Sequence, residues 1–288
     1  MLTVWPLGSV RLLRRYVTVA VVVALVYFYV QLLREPIPDL TRGSWGGFWI
    51  GADAALAVSI SWVPVAADYT RHAKTERGAF GAAAVGYSVT QIVAYVLGLL
   101  ALALVAGDSG KVFDPFLGAT LGVVFFAVFV LREADQSFAD TYSTAVSIQN
   151  LFPRADRRVL SVGLGAGITV LALALDIGDY AGFLSLIGSV FVPMLGVLAA
   201  DFFLGRRARG GWDVSRTAPS RWGMIVAWAA GFVVYQLINP GTVERWAGLW
   251  RDVQEALHFT PQSWMSASLL SFLVAGLAAL LIGRLTKR

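Results

Sequence analysis

The chain has 288 residues, of which 57% are hydrophobic and only 14% are charged. Soluble domains carry about 25% charged residues, so the composition excludes an ordinary water-soluble fold. The absence of cysteine excludes disulfides and thiolate metal sites. The two histidines, His72 and His258, are far apart in loop-like sequence. We therefore expect neither a histidine metal site nor an enzyme active site.

The apolar residues form long blocks that are typical of transmembrane helices. A helix needs about 20 mostly apolar residues to cross a hydrocarbon core of roughly 30 Å. The blocks are far longer than strands and do not alternate strictly. We therefore predict an all-α integral membrane protein, with residues 1–288 forming a single transmembrane domain. Its eight predicted spans are 16–33, 48–67, 79–106, 116–147 (after a turn at 108–115), 159–175, 180–204, 222–238 and 265–282.

The basic residues predict the orientation of these spans. Of the 23 Lys and Arg residues, 17 fall in the termini and loops on one side and five on the other, while Arg132 lies in or beside a span. Cytoplasmic loops are enriched in Lys and Arg, so both termini are expected in the cytoplasm of a multi-pass cell-membrane protein. This topology explains the net charge of +5, and we expect the lipid bilayer, not nucleic acid, as the partner.

The outer loop at 243–259 has the pattern of an amphipathic helix. Val243, Trp246, Trp250, Val253 and Leu257 recur at helical spacing, with charged residues mainly on the other side. Such a helix can lie on a membrane with its tryptophans at headgroup level. We predict that it anchors the outer rim.

The fourth span changes character after Leu131. At about 100° per residue, one arc of residues 132–147 is mainly polar and the opposite arc mainly apolar, which suits a helix lining a wet cavity. A second interpretation remains open, in which 116–131 crosses the membrane and 132–150 lies on the cytoplasmic surface. The polar arc contains Arg132, Glu133, Asp135, Gln136, Ser137, Asp140, Ser143, Thr144 and Ser147.

Three aspartates lie at or near the ends of spans, where an ionisable residue is a candidate for function. Asp53 and Asp68 bracket the second span, and Asp201 closes the sixth. For Asp68 and Asp201 we favour interfacial ion pairs with the neighbouring basic loops, beside Arg71 and Arg206. The glycines in the third, fifth and sixth spans are explained by close helix packing.

Three segments carry a resemblance to a known family. In chain order they are Ser-Trp-Val-Pro-Val-Ala-Ala-Asp-Tyr-Thr-Arg (61–71), Phe-Ala-Asp-Thr-Tyr-Ser-Thr-Ala-Val-Ser (138–147) and Ala-Asp-Phe-Phe-Leu-Gly-Arg-Arg (200–207). They resemble motifs of the nucleobase:cation symporter-1 family. The segment at 138–147 is most similar to the hydroxymethylpyrimidine and cytosine transporter branch of that family.

The resemblance implies a five-plus-five inverted-repeat fold, with the eight spans corresponding to family helices five to twelve. Residues 16–33 would be the last helix of the first repeat, 48–204 the second inverted repeat, and 205–288 two accessory helices with the outer segment 243–259. The first four family helices would then come from upstream sequence or a partner chain. An alternative function follows: a truncated, non-transporting remnant or one subunit of a split transporter.

The family's binding residues can be carried over by position. The resemblance places substrate contacts at Val58 and Ser59, with Trp62 as a stacking surface in place of the aromatic residue that several members have at Ser59. The substrate-binding amide falls at Asp140, with Gln136 close by. The candidate Na⁺ site is at Leu131, Ala134, Asp135 and Ser137.

The resemblance implies a symporter of a nucleobase or pyrimidine-like compound, such as cytosine or hydroxymethylpyrimidine. Transport would be coupled to Na⁺ or H⁺ and proceed by alternating access at a midplane site. No cofactor is expected beyond the coupling ion. The small-molecule substrate and the bilayer are the expected partners.

Overall fold

The computed structural model describes residues 9–38, 44–70, 73–174, 180–205, 215, 217 and 220–285. In this part of the chain every regular element is helical, which confirms an all-α protein. The α-helices are α1 (Ser9–Leu32), α2 (Phe48–Ser61), α3 (Val63–Thr70), α4 (Glu76–Gly81), α5 (Tyr87–Leu104), α6 (Asp114–Leu117), α7 (Gly122–Leu151), α8 (Arg157–Ala174), α9 (Tyr180–Ala199), α10 (Trp222–Ile238), α11 (Glu244–Ala256) and α12 (Ala267–Leu285).

The apolar helices correspond to the predicted spans. Four described stretches are long and apolar enough to cross a membrane: Glu76–Leu104, Arg157–Ala174, Gly182–Leu204 and Ala267–Leu285. A bent pair, Ser109–Leu117 with Gly122–Glu133, forms a fifth if it is counted as one span. Two shorter apolar helices, Tyr16–Leu32 and Trp222–Ile238, match the first and seventh predicted spans. The chain is therefore a multi-pass membrane protein.

The second predicted span is not one helix, contrary to the prediction for 48–67. Helix α2 ends at Ser61, Trp62 lies in a turn, and α3 begins at Val63. Pro64 has no backbone N–H, so it cannot donate the helical hydrogen bond to the carbonyl four residues earlier. The turn is closed by bonds from the Trp62 N–H to the Ser59 carbonyl (3.3 Å) and from the Val65 N–H to the Trp62 carbonyl (3.2 Å).

The fourth span begins six residues later than predicted, at Gly122 rather than Phe116. The segments before and after the intervening turn meet at 119°, and Leu121 has a left-handed φ of 60°. A Cβ at Gly122 would collide with the Phe116 carbonyl oxygen. The tight turn thus requires glycine at this position, and it separates α6 from the long helix.

Helix α7 continues unbroken through residues 132–150. Its 30 residues correspond to about 45 Å at 1.5 Å per residue, more than a bilayer core requires. The surface-helix interpretation is simplest with a break in the helix after Leu131, and α7 is not interrupted there. The structure therefore favours the continuous helix.

The helices divide into two compact units, the first comprising Met1–Gly43 and Ala67–Ala174. Within this unit α1 packs on α5 and α7 around Phe28, which is fully buried. The Phe28 ring meets Phe116 edge to face at 5.0 Å between centroids. The Tyr29 hydroxyl donates to the Val93 carbonyl at 2.6 Å. These contacts join α1 to α6 and α5, and α1 also packs on α7, the helix that carries the polar arc.

The second unit comprises Ser44–Ala66 and Leu175–Arg288. In it α12 packs against α9 and α10, and α2 packs against α9. A Cβ at Gly196 would collide with the Phe272 carbonyl, so close packing explains this glycine.

In α8 of the first unit, by contrast, a Cβ at Gly163 or Gly167 would meet no atom within 4 Å. For these two glycines the predicted close packing is not present among the described residues.

The amphipathic helix is confirmed as α11, but its tryptophans face protein. Trp250 is buried, and the rings of Trp246 and Trp250 both lie near Phe232 of α10. The Trp246 Nε1 donates to Gln236 Oε1 at 2.9 Å, and the Gln254 Nε2 donates to the Leu237 carbonyl at 2.8 Å. The apolar face of α11 thus docks on α10, and the predicted headgroup position of both rings stays a prediction.

Candidate functional site

The candidate substrate residues of the second unit lie on and just after α2. Val58, Ser59 and Trp62 are all half-buried. The Ser59 hydroxyl donates to the Ala55 carbonyl at 3.3 Å, and the Ser61 hydroxyl donates to the Val58 carbonyl at 2.7 Å. The break in the helix places Trp62 in the turn itself. These residues end an otherwise apolar helix with a short polar segment and one large aromatic ring.

The remaining candidates lie on α7, in the first unit. Leu131 is exposed although it lies on the apolar side of α7. Ser137 and Asp140 are exposed on the polar side, while Thr141 and Ala145 on the apolar side are buried. The division into a polar and an apolar arc therefore holds for the last four side chains. The side chains of Ala134, Asp135 and Gln136 lie outside the described residues, so their assignment stays a prediction.

Hydroxyl groups along α7 bond to their own helix. Ser137 donates to the Glu133 carbonyl at 3.1 Å, Thr141 to the Ser137 carbonyl at 2.8 Å, and Thr144 to the Asp140 carbonyl at 2.8 Å. Each hydroxyl oxygen keeps its acceptor lone pairs. The exposed oxygens of Ser137 and Thr144, with the Asp140 carboxyl group, can therefore accept hydrogen bonds or bind a hard cation.

The apolar arc of α7 is held by the following helix. The guanidinium carbon of Arg157 lies 5.5 Å from the Tyr142 ring centroid, and its Nη1 lies 3.5 Å from the tyrosine hydroxyl. The Gln149 Nε2 donates to the Ala155 carbonyl at 3.0 Å. These contacts fix the junction between α7 and α8 on the side opposite the exposed polar residues.

Asp53, which the sequence marked as a candidate for function without naming a partner, is a buried acidic residue. It lies in the second turn of α2 and is only 5% exposed. Its Oδ1 accepts from the Ser266 hydroxyl at 2.6 Å and the Ser268 N–H at 3.2 Å, and its Oδ2 accepts from the Ala267 N–H at 2.8 Å. The signals in the sequence were one aspartate in an apolar span and serines before α12. Neither the aspartate nor the serines show in the sequence that they form hydrogen bonds with each other.

The interfacial pairing predicted for Asp201 is confirmed, with a different cation. Asp201 accepts two hydrogen bonds from Arg221, which raise the pKa of the guanidinium above its usual value. The predicted neighbour Arg206 lies outside the described residues. So do Arg71 and the side chain of Asp68, whose pairing stays a prediction.

A comparison with protein families found one match. The family model for permeases for cytosine/purines, uracil, thiamine and allantoin matches residues 9–238. Comparisons with curated proteins and with solved structures found no match. The matched region includes every candidate residue on α2 and α7 and ends with α10. The chain therefore belongs to the family of permeases for cytosine/purines, uracil, thiamine and allantoin, which implies a nucleobase-type transporter.

Proposed function

We propose that the protein is a secondary active symporter of a pyrimidine-like compound, such as cytosine or hydroxymethylpyrimidine, located in the cell membrane and working by alternating access. The family match supports transport. The observation that carries the proposal further is the polar face of α7. There an acidic group and hydroxyl oxygens are exposed on a helix that starts as an apolar span. Such groups are costly in lipid and are typical of a substrate or ion path.

The chemistry of α7 suits an aminopyrimidine. Such a ring presents a nitrogen acceptor beside an amino donor, and a protonated carboxyl group can pair with both. We assign this role to Asp140, with Gln136 as a second polar contact. Trp62 supplies the stacking face, and Val58 and Ser59 complete the contacts on α2.

The coupling ion is proposed to bind on the same helix. Sodium is a hard cation held by oxygen atoms, and the carbonyls of Leu131 and Ala134 with the side chains of Asp135 and Ser137 supply oxygens of the right type. If the coupling ion is H⁺, the Asp135 carboxyl group is the carrier. No cofactor other than this ion is part of the proposal.

Binding and uptake test the substrate class. Membranes containing the protein are assayed for saturable binding of labelled cytosine and hydroxymethylpyrimidine, and cells lacking their own pyrimidine carriers are assayed for uptake. Asp140→Ala should abolish binding, whereas Glu255→Ala, which removes an exposed carboxylate from α11, should not. If folded protein binds neither compound, or if both variants lose binding equally, the proposed substrate site is wrong.

Replacing the bath ion tests the coupling. Uptake is measured with Na⁺ exchanged for choline at constant pH, and then with pH varied at constant Na⁺. Loss of uptake without Na⁺ assigns sodium, and dependence on pH alone assigns protons. Uptake that follows neither gradient would exclude symport.

A further inference from the structure

The carboxylate of Asp53 acts as an N-terminal cap for a helix far away in the chain. The first N–H groups of a helix have no partner within the helix, and α12 begins at Ala267. Asp53 accepts from the N–H groups of Ala267 and Ser268 and from the Ser266 hydroxyl. The Ser266 hydroxyl oxygen in turn accepts from the Leu269 N–H at 3.0 Å. Four donors are thus satisfied at one buried junction between α2 and α12.

At this junction a carboxylate accepts three of the four hydrogen bonds, and this distinguishes it from a cation site. A helix N-terminus carries partial positive charge, so a carboxylate beside it is stabilised. Hydrogen bonds to a charged group are shorter and stronger than neutral ones. The groups that contact Asp53 are all donors, whereas a coupling cation would require oxygen ligands around it. The surroundings of Asp53 therefore indicate a structural anion and not a sodium site.

The rest of α2 is held in the same unit by apolar contacts with α9. Ala57 and Ile60 are buried, and Ile60 belongs to a cluster with Val192. A Cβ at Gly188 would lie 3.5 Å from the Ala57 Cβ. These contacts are non-directional, so sliding α2 along its axis disturbs them gradually. The hydrogen bonds of Asp53 specify one axial position and one rotation.

We propose that Asp53 is a positioning residue that sets the register of α2, and with it the placement of Val58 and Ser59. This inference rests on the proposed function. Ser59 follows Asp53 by six residues, about 9 Å along a helix at 1.5 Å per residue. The three residues that donate to Asp53 lie at the start of α12 and directly before it, beyond the matched residues 9–238. Helix α12 thus contributes to the substrate site through α2, which goes beyond the accessory role expected from the sequence.

Three variants test the role of Asp53 through saturable binding and uptake. Asp53→Ala removes all three hydrogen bonds and should raise the KM at least tenfold, with a smaller change in maximal rate. Ser266→Ala removes the shortest of the three bonds to Asp53, together with the bond from the Leu269 N–H to the Ser266 hydroxyl, and should raise the KM a few-fold. The matched control is Ser271→Ala, because Ser271 is a buried serine of α12 whose hydroxyl bonds within its own helix, to the Ser268 carbonyl. An unchanged KM in folded Asp53→Ala protein would overturn the proposal. If Asp53→Ala does not fold, the KM of Ser266→Ala is used instead, and an unchanged KM in that variant would overturn the proposal.

A second measurement does not depend on transport. The chain has no cysteine, so Val58→Cys gives a single thiol whose modification rate by a permeant reagent reports on the placement of this part of α2. Adding Asp53→Ala should change that rate several-fold, and adding Ser271→Ala should not. An equal rate in all three proteins would contradict the positioning role. If the unsubstituted protein shows no binding, the proposed function fails while these rates still decide the role of Asp53.

Discussion

Arg221 and Asp201 are joined by two parallel hydrogen bonds, 2.6 Å from Nη1 to Oδ2 and 2.7 Å from Nη2 to Oδ1. This bidentate geometry matches the planar guanidinium to the carboxylate. Asp201 lies in a π-helical turn, Ala200–Leu204, and Arg221 directly precedes the first residue of α10. The pair therefore ties the end of the sixth span to the start of the seventh.

Replacing Arg221 with alanine should lower the thermal stability of the purified protein in detergent. Asp201 would lose two hydrogen bonds to a charged donor, worth about 1.5–3 kcal/mol. The cost should fall toward the lower end because the Arg221 side chain is 33% exposed and solvent screens the pair. Arg245→Ala is the control, since Arg245 is exposed on α11. Equal melting temperatures for the two variants would contradict this role.

The stabilising effect of Arg221 should not change between about pH 6 and pH 9. Its pKa in the folded protein is raised above the usual value of a guanidinium, chiefly by the hydrogen bonds to Asp201. A raised pKa gives a stabilisation that is complete below the unfolded value and is lost as pH rises through the folded value. The difference in melting temperature between the unsubstituted protein and Arg221→Ala is measured across this range. A difference that shrinks at the alkaline end would refute the assignment.

Trp246→Phe should loosen α11 from α10. The variant keeps an apolar ring but leaves the Gln236 Oε1 without its donor, and Gln236 is 1% exposed. An unsatisfied buried acceptor costs about 1–3 kcal/mol. Trypsin cleavage after Arg245 or Arg251, both exposed, should therefore become faster. Trp264→Phe serves as control, because Trp264 is 61% exposed. If the two variants are cleaved at the same rate, the hydrogen bond does not hold α11.

Single cysteines should report the orientation predicted from the basic residues. An impermeant thiol reagent applied to intact cells should label Ser109→Cys and Thr260→Cys but not Lys74→Cys or Ser220→Cys. All four positions are exposed, and the cysteine-free chain gives no background. Labelling of all four after the cells are permeabilised is the control. Labelling of Lys74→Cys in intact cells would reverse the topology.

Asp140→Asn should bind substrate with a flatter pH profile than the unsubstituted protein. A carboxyl group offers a donor and an acceptor only when protonated, whereas an amide offers both at every pH. Equilibrium binding of labelled cytosine is measured without an ion gradient, so that coupling does not contribute. Binding by the unsubstituted protein should weaken as pH rises, and binding by Asp140→Asn should change less. Identical slopes would show that Asp140 does not pair with the ring as a protonated group.

The membrane class and most of the spans were predictable from the sequence because they depend on local properties. A lipid core requires about 20 apolar residues and backbone hydrogen bonds made within each helix. The match at Trp222–Ile238 and the close agreement for α8 and α12 follow from this requirement. The amphipathic helix α11 and the division of α7 into two arcs are likewise properties of short segments with helical periodicity.

The errors in the predicted spans have local causes that hydropathy does not register. Pro64 is apolar enough to continue a span, yet it removes the hydrogen bond that would join α2 to α3. Gly122 also fits an apolar block, but it permits the tight turn that ends α6. In both places the backbone geometry, and not the burial of apolar side chains, decides where the helix starts.

Only the tertiary structure decided which distant groups meet. Asp53 and Ser266 are 213 residues apart, and no periodicity links an aspartate in one span to the start of another. Asp201 pairs with Arg221, 20 residues away, because the folded chain brings the start of α10 beside it. The spacing of the tryptophans predicted an amphipathic helix, but it did not predict that these rings pack on α10. A buried polar group must find a partner, but the packing of the helices determines which one lies within hydrogen-bonding distance.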